Sequence, residues 1–169
     1  MKNLISLITK KINFNKDLDQ NNNLLKKEIK LKKCLIVGGA GTIGSNYIKQ
    51  LLKYEPKKIV IVDTNENGLT ELTRDLRSQE IYMPSEYITY PFDFGGEVFA
   101  KMFRKRNFDV VACFAAHKHV RSEKDHLAIE AMIKNNVFNT KKLIYLALES
   151  KPKHFFSVST DKAANPVNV

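Results

Sequence analysis

From residue 33 onward, short apolar runs alternate with longer stretches in which apolar positions recur every three to four residues. The runs predict strands near 33–38, 58–63, 86–91, 109–115 and 153–159. The periodic stretches predict helices near 42–54, 66–79, 96–106 and 124–150. Ile59 to Val62 and Val110 to Phe114 are continuously apolar, as strands covered on both faces require. Alternating β and α units predict an α/β fold, a doubly wound parallel sheet with right-handed crossovers. In the last helix Ile129, Met132, Ile133, Val137, Thr140, Leu143, Ile144 and Ala147 form the expected apolar stripe, with Asn136 on its edge.

Residues 1–30 read as a separate N-terminal helical arm. Leu4, Ile5, Leu7, Ile8 and Ile12 sit at helical spacing, 15–23 is polar and loop-like, and Leu24, Leu25 and Ile29 suggest a second short helix. Such an arm either docks on a partner subunit or an anionic membrane surface, or packs on its own domain.

The first predicted strand runs into Gly38-Gly39-Ala40-Gly41-Thr42-Ile43-Gly44-Ser45. Gly39, Gly41 and Gly44 fit G-x-G-x-x-G, and Gly38, Gly41 and Gly44 fit the related G-x-x-G-x-x-G spacing. Glycines so placed allow a tight turn, backbone room for a pyrophosphate, and close helix-to-strand packing. The helix that follows opens on Thr42 and Ile43, whose N–H groups and dipole end suit phosphates. Asp63, 19 residues past Gly44, ends the second apolar run where a carboxylate would take the hydroxyls of an adenosine ribose. The bland alternative is an ordinary αβ turn with a surface Asp. The context selects a Rossmann-type, dinucleotide-binding reading for residues 31–169.

Further candidates lie at the other strand ends, where open α/β sheets bind ligands. Asp93, after the third strand, suits an adenine amino group, or else a helix N-cap or turn. Ala115 and Ala116 leave space for a nicotinamide ribose, though Ala is also an ordinary packing choice. Asn136 either satisfies a backbone partner or supports a proton-relay water. Thr160, Asp161 and Lys162 bring a hydroxyl, an acid and an amine to the end of the fifth strand, as a catalytic cluster or as a polar loop.

Composition narrows the classes. The 169 residues suffice for one domain with a real core. Cys34 and Cys113 lie in predicted strands without zinc or disulfide-framework spacing, and the four histidines lack metal-ligand spacing. No run approaches the roughly 20 apolar residues of a membrane span, and the basic start has too short an apolar core for a signal peptide. The expected location is cytoplasmic. Of the net charge of +10, residues 1–33 carry +6; no basic stripe with interleaved aromatics points to nucleic acid.

Four blocks then appear in order: the glycine stretch; Phe114-Ala115-Ala116-His117-Lys118-His119-Val120; Asn136-Val137-Phe138-Asn139-Thr140; and Ser159-Thr160-Asp161-Lys162-Ala163-Ala164-Asn165-Pro166. Together they resemble the extended short-chain dehydrogenases/reductases, specifically the nucleotide-sugar 4,6-dehydratases of polysaccharide biosynthesis that act on UDP-N-acetylglucosamine. Asn139 departs from that pattern, since relatives usually carry Gly there. The chain also ends at Val169, before the Tyr (or Met) and Lys of the family's Y-x-x-x-K motif and its sugar-binding part. The resemblance therefore implies a sheet incomplete on its C-terminal side, no substrate domain, and an inactive fragment as it stands.

The resemblance implies NAD rather than NADP as cofactor, a UDP-sugar substrate, and a homo-oligomer in the full-length family. Lys118 and His119 would contact the substrate. In the family's lyase chemistry hydride leaves the sugar C4 for the cofactor, and the resulting ketone acidifies the C5 proton. A base takes that proton while an acid protonates the departing C6 hydroxyl, and hydride returns to C6. By resemblance Lys162 is the base, Asp161 the acid and Thr160 the hydroxyl orienting the C4 oxygen, with Asn136 supporting the relay. Adjacent Asp and Lys stabilise each other's charged forms, so desolvation by substrate must oppose that pairing. A sugar epimerase of the same superfamily is the alternative within the class, though it needs no Asp-Lys elimination pair. A non-catalytic dinucleotide-binding protein is the alternative outside it.

Overall fold

The computed structural model describes residues 14–117 and 125–159. After helix α1 (Phe14–Ile29) come strand β1 (Lys33–Val37), helix α2 (Thr42–Leu52), β2 (Lys58–Val62), α3 (Glu66–Ser78), β3 (Glu86–Tyr90), α4 (Glu97–Lys105) and β4 (Val110–Cys113). Helix α5 (His126–Ile133), a π-helical segment (Lys134–Asn139), α6 (Thr140–Ser150) and β5 (His154–Ser157) follow. The five strands form one parallel sheet in the order β3-β2-β1-β4-β5. The chain starts in the middle, builds outward to β3, then crosses back to the other side of β1. That reversal between β1 and β4 is where a doubly wound sheet opens a crevice.

The register aligns the carboxyl ends. Val37 pairs with both Val62 and Cys113, Val62 with Tyr90, and Cys113 with Ser157. Successive residues of each central strand bury opposite faces, as the pleat requires. Leu35, Val37, Val60, Val62, Val111 and Cys113 pack under Phe99, Phe103 and Leu143 of α4 and α6. Cys34, Ile36, Ile59, Ile61 and Val110 pack under Ile48, Leu52, Leu69 and Leu76 of α2 and α3. The two cysteines thus face opposite layers, both free and buried. Burial, with help from Asp109, pushes the Cys34 thiol up to about 12, so it stays protonated. No described helix is long and apolar enough to cross a membrane.

Two expectations need correction. The polar stretch 15–23 is not a loop: α1 is one continuous helix from Phe14 to Ile29. Its polar residues face solvent on a helix that turns only one narrow edge inward, where Leu25, Glu28 and Ile29 are half-buried. Asp17 in the first turn and Lys26 and Lys27 in the last complement the helix dipole, and Asn21 Nδ2 donates to Asp17 O at 2.9 Å. The expected 124–150 helix is likewise not uniform. The π segment adds a residue to the turn and shifts the inward face, so Asn139, Leu143, Leu146 and Ala147 are buried while Val137 and Ile144 of the expected stripe are exposed.

α1 lies against the amino-terminal edge of the sheet. Glu28 pairs with Lys153 and, at 2.8 Å, with His154 Nε2 at the start of β5, and Lys30 pairs with Glu55 at 2.8 Å. The hydrogen bond from Lys153, then that from His154, holds the Glu28 carboxyl down from 4.5 to about 2. A carboxyl depressed by folding contributes fully above its unfolded value and loses its contribution as pH falls through the folded one. The protection of α1 amides, taken as observed exchange relative to the intrinsic rate at each pH, should therefore be constant above pH 4.5, fall relative to that of the central strands toward pH 2, and lose that pH dependence in Glu28→Gln. Unchanged protection of α1 down to pH 2 would remove the ion pair as its tether.

Candidate functional site

A cleft of about 440 Å³ opens at the carboxyl ends of β1, β2 and β4, a size suited to a small-molecule site. Its floor is the turn between β1 and α2. Gly38 has φ +79, a left-handed conformation that disfavours any side chain, and a Cβ there would strike the backbone of Phe114 and Ala115 after β4. A Cβ on Gly44 would strike Gly38 O and come within 2.9 Å of Gly39 Cα. At Gly41 the situation is opposite: a Cβ meets nothing nearer than Gly38 O at 3.6 Å, and the residue lines the cleft. Gly41 is also the N-cap of α2 and supplies no side-chain cap, so the first turn, with Thr42 and Ile43, keeps N–H groups for a ligand. The turn thus combines the two tight glycines and one open glycine that a bound pyrophosphate calls for.

Asp63 follows β2 and lines the cleft beside this turn. Its backbone N–H donates to Tyr90 O at 3.2 Å. Its Oδ2 accepts from Ala40 N at 2.9 Å and its Oδ1 from Asn65 N at 3.0 Å. Asn65 in turn caps α3 through Gly68 N at 2.9 Å. The carboxylate is therefore fixed against the glycine turn by two backbone donors, each leaving lone pairs for hydroxyl groups.

Asp93 stands across the cleft on the β3–α4 connection. It is not the helix cap, since α4 is capped at Gly96; its Oδ1 accepts from Gly95 N at 2.8 Å, a turn contact. Flanking Phe92 and Phe94 meet Phe99 edge-on at 6.4 and 6.3 Å between ring centres, which anchors the loop and leaves Asp93 exposed. Ala115 and Ala116 line the side after β4.

Asn136 is not in the cleft lining but holds His117, which is, with both ends of its amide on that one residue. Its Oδ1 accepts from His117 N and its Nδ2 donates to His117 O, each at 2.8 Å. It thus clamps the backbone just beyond β4. Lys118, His119, Thr160, Asp161 and Lys162 lie outside the described residues. Among the described residues no cluster of His, Cys, Asp or Glu could hold a metal ion. The structure also brings in residues that sequence reasoning passed over: His117, Asn135 and Asn139 line the cleft. Asn139 had a signal, its departure from Gly in the Asn136–Thr140 block. A helical position gave no hint that the π turn would point it inward.

Residues 34–169 match the family described as polysaccharide biosynthesis protein. The chain belongs to that family. It is 41% identical over 141 residues to an uncharacterized membrane protein of Methanocaldococcus jannaschii, covering 82% of this chain and 39% of the relative. It is 34% identical over 142 residues to an inverting UDP-N-acetylglucosamine 4,6-dehydratase of Campylobacter jejuni, with 82% and 39% covered. Among solved structures, Pen from Bacillus thuringiensis superposes with a TM-score of 0.70 at 28% identity, over 83% of this chain and 41% of that one. The chain spans about two fifths of the length of these relatives, and the region matched is the Rossmann-type sheet and its cleft.

The glycine geometry yields a direct test. Gly44→Ala should destabilise the chain by about 1–3 kcal/mol, because the methyl meets backbone that cannot yield. Gly41→Val makes no backbone clash at its Cβ and should cost less, about 0.5–1 kcal/mol for a poorer N-cap. Urea denaturation of both variants checks this, and equal stabilities would contradict the close packing of α2 on the turn.

Proposed function

We propose that this chain is the NAD-binding part of a nucleotide-sugar 4,6-dehydratase acting on a UDP-N-acetylglucosamine-type substrate in polysaccharide biosynthesis. The observation that carries the reading is Asp63, braced by Ala40 N and Asn65 N beside the open glycine of the β1–α2 turn. A dinucleotide asks for that pairing: a carboxylate for ribose hydroxyls next to backbone room for phosphate. Asp93 would accept the adenine amino group, and Ala115 and Ala116 would leave space for the second ribose. Bound there, the nicotinamide supplies a hydride acceptor and donor. The 34% identity to a named 4,6-dehydratase supports that reaction over epimerisation.

In this reading Lys162 takes the C5 proton, Asp161 gives a proton to the C6 oxygen, and Thr160 orients the C4 oxygen. Asn136 contributes by holding His117 and the wall next to it, with Lys118 and His119 toward the sugar. Residues 1–30 act as a helical arm, the full-length protein is a homo-oligomer, and this part works in the cytoplasm, even though the archaeal relative is named a membrane protein.

Calorimetric titration should show NAD⁺ binding more tightly than NADP⁺, because a fixed carboxylate repels a 2′-phosphate and no Arg follows within Asp63 to Asn67. Gly41→Val should abolish binding of both. Equal or tighter NADP⁺ binding would remove Asp63 from the ribose. In a chain extended with a relative's C-terminal part, UDP-N-acetylglucosamine should give a 4-keto-6-deoxy product. That turnover should vanish in Lys162→Ala and Asp161→Asn while NAD⁺ still binds; near-full turnover in either variant would overturn the acid and base roles, and a 4-epimer as product would favour an epimerase.

A further inference from the structure

Asn139 is the buried polar side chain among the described residues, and the cofactor reading gives it no task. It sits where the π segment meets α6 and lines the cleft. Its Nδ2 donates to Asp93 Oδ1 at 3.3 Å, and Gly95 N donates to the same oxygen at 2.8 Å. Gly95 makes room for this arrangement, since a Cβ there would run into the Asn139 amide. Lys142 Nζ, three residues along α6, donates to Gly95 O at 3.1 Å and ties the loop down a second time.

Charge decides which way the amide faces. An Asn presents either an oxygen or an NH₂, and beside a carboxylate the NH₂ must face it. Held this way, both donors fall on Oδ1, and Oδ2 takes neither. Without Asn139, Asp93 would keep only the local turn contact from Gly95, and its carboxylate plane could rotate away from the orientation that aims one oxygen at the cleft.

We propose that Asn139 is a specificity-determining positioning residue: by occupying Asp93 Oδ1 it presents Oδ2 as a fixed acceptor that selects a purine bearing an exocyclic amine over one bearing a carbonyl. The inference rests on the dinucleotide reading of the cleft. An amine donates to the fixed oxygen in a charge-assisted hydrogen bond, whereas a carbonyl sets lone pairs against lone pairs. A site built to bond a polar group rejects the analogue that lacks it.

The probes are NAD⁺ and nicotinamide hypoxanthine dinucleotide, which differ at that position, titrated calorimetrically against the full chain. The parent protein should prefer NAD⁺ by about 10-fold or more, the scale of one hydrogen bond to a charged group. Asn139→Leu keeps the branched shape in a somewhat larger side chain and removes the donor, and should cut the preference by about 2- to 10-fold. Gly95→Ala, which drives the amide away from Asp93, should cut it similarly. If Asn139→Leu fails to fold by circular dichroism, Asn139→Gly takes its place. A variant that weakens both dinucleotides equally, or keeps the full preference, overturns the positioning role. A parent protein that binds both probes equally overturns it too while leaving the dinucleotide reading intact, and one that binds neither overturns both.

Discussion

The structure depends on one close approach: the turn after β1 lies directly against the turn after β4 and under the first turn of α2. Gly38 leaves no space for a side chain against Ala115, and Gly44 leaves none against Gly38. These contacts are backbone on backbone, so a side chain cannot move aside to relieve them. They fix where α2 begins, how near its N-terminus comes to the sheet, and how β4 enters beside β1. Gly38 N donates to Val62 O at 2.8 Å and Phe114 N to Val37 O at 2.7 Å, which carries the alignment across three strands. The cleft is what remains above this junction once the strands diverge.

Much of this was legible because its causes are local. A strand buried on both faces must be apolar, and β4, as well as β1 and β2 after their opening Lys33 and Lys58, shows that pattern without interruption. A turn that admits no Cβ must be glycine, and an acid at the end of the second strand sits beside it by topology alone. The elements that were misread have causes that are not local. α1 is polar on most sides and is held at its end by Glu28 through Lys153 and His154, far away in sequence. The π turn is a single extra residue in a helix whose spacing otherwise looks regular. It replaces Val137 with Asn139 on the inward face, a swap that a 3.6-residue period cannot anticipate.

Asn136 shows the same limit beside the cleft. The sequence reading offered it either a backbone partner or a relay water, and a single sequence cannot choose which residue the partner is. The partner proves to be both backbone groups of His117. A side-chain amide matched to a peptide group in this way replaces the ladder bonds that the chain gives up on leaving β4. It fixes the direction of the backbone at His117.

The charge distribution supports a particular division of labour in the proposed reading. The excess of ten positive charges belongs to the whole chain, and six of them precede β2 within residues 1–33. In the described lining of the cleft the charged groups are Asp63, Asp93 and Lys134, so this part of the wall carries no cluster of basic side chains. A diphosphate there would be held by backbone N–H groups at the start of α2 and by the open space at Gly41, which bind its shape as well as its charge. The two carboxylates stand on either side of that position, each already held by backbone or amide donors. Fixed acceptors of this kind favour hydroxyl and amine donors and oppose any further phosphate. Selectivity among nucleotides would then come from the acids, and affinity for the phosphates from the backbone. Both depend on the same glycine turn, which supplies the phosphate seat and, through Ala40 N, half of the grip on Asp63.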